Sequence, residues 1–195
     1  STNLEDTSKY FQANLNQGTI EQRTVARYGL GLIAIKTEKY KEAETIFQEL
    51  TRQYPEQSQY VAALARTALD SRNYKNAVSR YQKLIEQFPD NDPIKIEYIN
   101  ALLKAGKTEQ ARDILLSLNA KTKLLPIYWQ SLAQVYSNMN QPAESHRFLA
   151  EYYYAMGETY NAILQIRLAQ ESKGLNFQLS SILSERLSFF INQQQ

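Results

Sequence analysis

Apolar residues recur along this chain at helical spacing, and the pattern itself recurs. Tyr40, Ala43, Phe47 and Leu50 fall on one face of an amphipathic stretch that stops at Pro55. Tyr74, Ala77, Tyr81 and Leu84 do the same before Pro89. Each residue lies 34 positions from its counterpart, as Tyr40 does from Tyr74. The same step leads on from Ala77, Tyr81 and Leu84 to Ala111, Leu115 and Leu118. Proline stops these stretches because it lacks an amide donor and clashes with the preceding turn.

A self-similarity of this length marks stacked helical hairpins, and 34 residues is the tetratricopeptide period, so the chain resembles that repeat class. The expected fold is all-α, a tetratricopeptide-repeat superhelix (a right-handed α-solenoid) of about 10–11 helices. Small residues, Gly31 and Ala65 in first helices and Ala43 and Ala77 in second helices, let the backbones approach, and Phe47 and Tyr81 fill the space beside them. Repeats are expected near 23–57, 58–91, 92–125 and 126–157, with a C-terminal helix pair at 158–192, so that 23–195 forms the repeat domain. Residues 1–22 read as an N-terminal helix or linker, with a helix near 4–16 that Asn16-Gln17-Gly18 ends.

In the third repeat Lys123 stands where proline would recur, and Pro126 follows, which predicts a longer exit. Trp129, Leu132, Ala133 and Tyr136 carry the fullest first-helix signature. Helices are then expected at about 142–156, 159–172 and 176–191. The last should turn Phe177, Ile182, Leu183, Leu187 and Phe190 inward. Its polar outer face would be Ser181, Ser184, Glu185, Arg186 and Ser188, as a terminal cap requires.

Composition removes functions rather than adding them. The 195 residues hold 22 basic and 20 acidic side chains, net +2, which gives no argument for nucleic acid or an anionic membrane. Without cysteine there are no disulfides or thiolate metal sites. No apolar run approaches the roughly 20 residues of a membrane span, so no direct membrane insertion is expected. No HExxH, Walker, GxSxG or GxGxxG motif occurs, and no catalytic residue, metal ligand or cofactor is assigned to this chain. Most of the 14 tyrosines fall at repeat positions and read as packing. Ser1 at the start suggests a segment cut from a longer protein.

The surface left for function is the groove lined by first helices. Its expected partner-binding residues are Tyr28, Leu32, Lys36, Arg66, Leu69, Asn100, Gln130, Gln134 and Asn138, with Ile35, Ala62, Ile96 and Leu103 among them. Tetratricopeptide domains that hold a C-terminal carboxylate use a clamp of Lys, Asn and Arg. The corresponding positions here are Tyr28, Leu32, Ala63, Pro93 and Glu97, so the clamp is absent. A folded partner or an extended segment fits better. His146, the only histidine, reads as a helix residue hydrogen-bonded to a neighbour, or as one that meets an adjoining domain.

Residues 141–169 resemble a narrower family. Ala143, His146, Ala150, Glu151, Tyr153, Tyr154 and Gly157, then Ala162, Ile163, Gln165, Ile166 and Ala169, match the closing repeats of periplasmic zinc metallopeptidases of the BepA type, the β-barrel assembly-enhancing proteases. Ala26 to Ile35 is similar to that family's opening repeat helix. The resemblance implies the periplasm of a Gram-negative bacterium. It also implies a preceding HExxH peptidase domain holding zinc, and recruitment of outer-membrane assembly proteins or their β-barrel clients. His146, Glu151 and Tyr153 are then candidates for docking the chain's own peptidase domain, and the isolated fragment could pair as a homodimer. A stand-alone scaffold or adaptor in envelope assembly or secretion is the alternative, since repeats alone do not set function.

Overall fold

In the computed structural model, which describes residues 2–193, the described chain is all-α. Eleven α-helices follow one another: α1 (Thr2–Gln17), α2 (Ile20–Lys36), α3 (Tyr40–Gln53), α4 (Ser58–Asp70), α5 (Tyr74–Gln87) and α6 (Asp92–Lys104). After these come α7 (Thr108–Leu116), α8 (Pro126–Asn138), α9 (Pro142–Ala155), α10 (Thr159–Gln170) and α11 (Phe177–Asn192). A short 3₁₀ turn, Thr122–Leu124, fills the longer exit before α8. The chain forms two compact units, α1–α6 up to Ala105 and α7–α11 from Gly106. The two helices of the third repeat therefore fall in different units.

Local chemistry sets the helix ends. Thr19 and Gln22 form a reciprocal capping box at the start of α2, with the Thr19 amide donating to Gln22 Oε1 at 2.9 Å. Asn73, Asn91 and Asn176 accept amide hydrogen bonds at the starts of α5, α6 and α11. The turns between paired helices share one geometry. After α2 the amides of Glu38 and Lys39 donate to the carbonyls of Ile35 and Ala34, at 3.0 and 2.8 Å. After α4 those of Arg72 and Asn73 reach Leu69 and Ala68, and after α8 those of Asn140 and Gln141 reach Ser137 and Tyr136. This is the Schellman closure, and its central residue is left-handed. Positive φ occurs at Glu38, Arg72, Gly106, Asn140 and Gly174, so the repeat's period reappears in the backbone.

In the first unit α1 packs on α2, and each later helix on the one before. Ala43, Phe47 and Leu50 are fully buried against Ala34, Tyr60 and Ala63. A Cβ on Gly31 would lie 2.5 Å from the Phe47 ring, so the glycine lets α3 seat its aromatic residue against α2. Phe11 takes the same role at Gly29, which makes α1 a packed helix of the unit rather than a linker. Ala77, Tyr81 and Leu84 repeat the arrangement of Ala43, Phe47 and Leu50, fully buried on α5.

In the second unit the cluster of Ala150, Ala162, Ile166, Ala169, Leu183 and Phe190 binds α9, α10 and α11 together. Two expectations about α11 fail. Phe177 is 91% exposed, because it occupies the first helical position, beyond the reach of α10. Arg186 does not belong to the polar outer face. Its guanidinium donates twice to Glu151 on α9, both at 2.7 Å, and lies over the rings of Phe189 and Phe190. Ser181, Ser184, Glu185 and Ser188 do face solvent.

Candidate functional site

The first unit holds a cleft of about 740 Å³ between α2, α4 and the start of α6. Its apolar wall is Tyr28, Leu32, Ile35, Ala62, Ala63, Pro93 and Ile94. Polar groups on its margin are Lys36, Glu38, Arg66, Asp70 and Glu97. Helical spacing places these residues. Tyr28, Leu32, Ile35 and Lys36 recur at three- and four-residue steps, so they share one face of α2. Ala62 and Arg66 do the same on α4, where alanine keeps the wall low enough to leave room.

A fixed polar array closes one side. Arg66 donates from Nε to both oxygens of Asp70, at 2.9 and 3.1 Å, and from Nη1 to Glu97 Oε1 at 3.2 Å. Glu97 takes a further hydrogen bond on Oε2 from the Tyr81 hydroxyl. Burial opposes the Arg66 charge, but the hydrogen bond to Asp70 and the charges of Asp70 and Glu97 outweigh it, and its pKa is raised. The Tyr81 phenol is pushed strongly up, first by burial and then by the charge of Glu97. Tyr28 is raised for the same leading reason, with Tyr60 and Glu97 adding to it. The array therefore holds one guanidinium between two carboxylates, net −1. Lys36 and Glu38 balance each other on the margin.

Of the residues expected in the groove, Tyr28, Leu32, Lys36 and Arg66 line this cleft, together with Ile35 and Ala62. Leu69 does not. It is 5% exposed and sits in the core, on the side of α4 that turns inward. Asn100 is exposed on α6 outside the lining, and Gln130, Gln134 and Asn138 are exposed on α8 of the second unit. There Gln134 donates to Asn138 at 2.8 Å. Asp70 and Glu97 were not among the expected groove residues. The four-residue step from Arg66 to Asp70 on one helix would have found the first; Glu97 is brought in by the packing of α6.

The three candidate docking residues each have a partner within the second unit. His146 Nδ1 donates to Gln165 Oε1 at 2.8 Å, Glu151 holds Arg186, and Tyr153 is half-buried against the α9–α11 cluster and edge-on to Tyr152. Among the described residues no group of three or more His, Asp or Glu side chains could hold a metal ion, and no helix is long and apolar enough to cross a membrane.

Residues 25–56 match one model of the tetratricopeptide repeat and residues 68–135 match another. The chain is built of tetratricopeptide repeats. Solved structures agree. A thermophilic tetratricopeptide protein from Thermus thermophilus aligns at TM-score 0.55 and 18% identity, over 85% of this chain and 99% of that one. A tetratricopeptide repeat protein from Parabacteroides merdae aligns at 0.61 and 14%, over 97% and 78%. A double mutant of MamA aligns at 0.62 and 12%, over 97% of each chain. At these identities the likeness is one of fold. No curated protein matches the chain. Tetratricopeptide repeats serve protein–protein interaction.

Proposed function

We propose that this chain is a non-catalytic recruiting module whose α2–α4–α6 cleft takes an extended or folded segment of another protein. The observation that carries the reading is the cleft itself: an apolar wall of Tyr28, Leu32, Ile35 and Ala62 beside a polar array already fixed in place. A preformed apolar site with a few convergent polar groups is what a specific partner needs. Arg66 is held by two carboxylates, so the cleft does not suit an acidic C-terminal tail. The narrower reading places the chain as the repeat half of a periplasmic zinc metallopeptidase of the BepA type. There it would bring the outer-membrane β-barrel assembly machinery, or its clients, to a zinc site on a separate peptidase domain. The residues that carry this resemblance support it by their packing. Ala143 is buried on α9, Ala150, Ala162, Ile166 and Ala169 belong to the core that joins α9, α10 and α11, and His146 and Gln165 bond to one another across α9 and α10.

A stand-alone scaffold is the second reading, since repeats alone do not set function. Two measurements separate and test these. Leu32→Asp with Lys36→Glu alters one exposed wall residue and one margin residue of the cleft and should abolish co-purification of assembly proteins while leaving the helical content unchanged. Unchanged co-purification removes the cleft from the function. The mass and zinc content of the native polypeptide then decide between a peptidase of roughly twice this length with about one zinc and a zinc-free scaffold.

A further inference from the structure

We infer that the segment joining α7 to α8 is an adsorption site for an anionic lipid surface. Leu116, Leu124, Leu125 and Ile127 are exposed at 56, 74, 48 and 38%. Four large aliphatic side chains within twelve residues thus meet solvent, two of them adjacent. The segment is nonetheless firmly built. The buried Thr122 donates from its amide and its hydroxyl to Asn119 Oδ1, at 2.9 and 3.1 Å. The amides of Lys123, Leu124 and Leu125 donate to the carbonyls of Asn119, Lys121 and Thr122. Lys123 Nζ donates to the Leu116 carbonyl at 2.8 Å, tying the segment to the end of α7. An ordered turn that presents its leucines outward has an apolar surface without an occupant in its own unit, and such surfaces mark contacts.

Charge selects the occupant. The chain as a whole is nearly neutral, but from Ile114 to Ala143 the only charged residues are Lys121 and Lys123. Carboxylates are absent from the whole stretch. Asp113, exposed just before the stretch, is paired with Arg112, so the apolar side chains of the segment stand beside two cations and match the boundary between acyl chains and anionic headgroups. An apolar protein surface has no need of that one-sided charge. The attachment is peripheral and reversible, because two lysines and a few leucines fall far short of a spanning helix.

The test is sedimentation of the 195-residue chain with vesicles of phosphatidylcholine alone and of phosphatidylcholine mixed with phosphatidylglycerol. The chain should sediment with the mixed vesicles and stay in solution with the neutral ones, and added salt should release it. Lys121→Gln should weaken the partition by about fivefold, the worth of one lysine near such a surface. Leu124→Ser with Leu125→Ser should abolish it. Both leucines are exposed, so circular dichroism should show the fold intact. Tyr160→Ser, exposed on α10, should change nothing. Failure to sediment with the mixed vesicles, or equal partition of the double-serine variant, overturns the proposal. So does a photo-crosslinker at position 124 that captures a polypeptide while vesicle binding is nil, which would assign the tip to a protein.

Discussion

Replacing Gly31 by alanine sets two effects of known sign against each other. In an exposed helix, alanine would stabilise by roughly 1 kcal/mol, because glycine loses more backbone freedom on folding. Here a Cβ would lie 2.5, 2.7 and 3.1 Å from three ring carbons of Phe47. Carbon atoms rest at about 3.5–4.0 Å, so the ring must withdraw by roughly 1 Å. It has nowhere to go: Phe47 is fully buried, and Tyr28 stands edge-on to it with ring centroids 5.8 Å apart. Forcing a methyl into such packing costs typically about 1–3 kcal/mol beyond any propensity gain. The expected net loss is therefore about 1–3 kcal/mol, a sizeable share of the roughly 5–15 kcal/mol of a folded domain. Urea denaturation followed by circular dichroism measures it. The clash is specific to the ring, so Phe47→Leu should remove it. In the double variant, Gly31→Ala should cost about 1 kcal/mol less than it does alone. A Gly31→Ala protein as stable as the parent, or additive costs in the double variant, would refute the account of how α2 and α3 meet.

Further outcomes follow from other contacts. Glu151→Gln leaves the half-buried Arg186 without its carboxylate and should destabilise the second unit by about 1–3 kcal/mol in the same assay. Arg72→Gly relieves a left-handed backbone that costs about 1–2 kcal/mol but adds freedom to the unfolded chain, so a gain of about 0.5 kcal/mol is expected, seen as a higher urea midpoint. Tyr81 ionises only well above its ordinary value of 10.0 when folded, so from that pH upward the unfolded chain releases a proton that the folded chain keeps. Stability should therefore fall as pH rises past 10.0, and Tyr81→Phe should make that fall shallower in alkaline denaturation. Phe177→Ser should stay within about 0.5 kcal/mol of the parent in thermal unfolding, because the ring is exposed.

What could be read before the structure was whatever repeats. Ala43, Phe47 and Leu50 announce α3 because their counterparts recur on α5, and the proline stops bound both helices. The left-handed turn repeats just as strictly but is visible only at Gly106 and Gly174. At Glu38 and Arg72 the side chain hides it, because the Schellman hydrogen bonds hold the backbone whatever residue is there. Leu69 was misplaced because a face read from spacing alone is uncertain by a residue or so, and one residue on a helix is a turn of about 100°. Glu97 and Arg186 were beyond reach for a different reason. Their partners, Arg66 and Glu151, lie 31 and 35 residues away on other helices, and nothing in periodicity pairs them.

That division bears on where function can reside. A position repeated every 34 residues is constrained to hold one hairpin to the next, as Ala43, Ala77 and Ala111 do with no exposed surface. It cannot also distinguish one partner from another. The residues free to do so are those without counterparts. Lys36 is one that differs from its immediate counterpart, since the position 34 residues further on is Asp70, and lysine returns only at Lys104. Arg66 is another, since its counterpart is Asn100, and the array with Asp70 and Glu97 is built once in the first unit. The leucine-rich exit before α8 arises where the period breaks, with Lys123 in place of a proline. Specificity should accordingly be lost by exchanging these aperiodic residues for their counterparts one repeat away. Arg66→Asn tests this directly: it substitutes the residue that the next repeat already tolerates. It should leave the helical content intact and release Glu97 to the cleft, changing which segments bind there without unfolding the first unit.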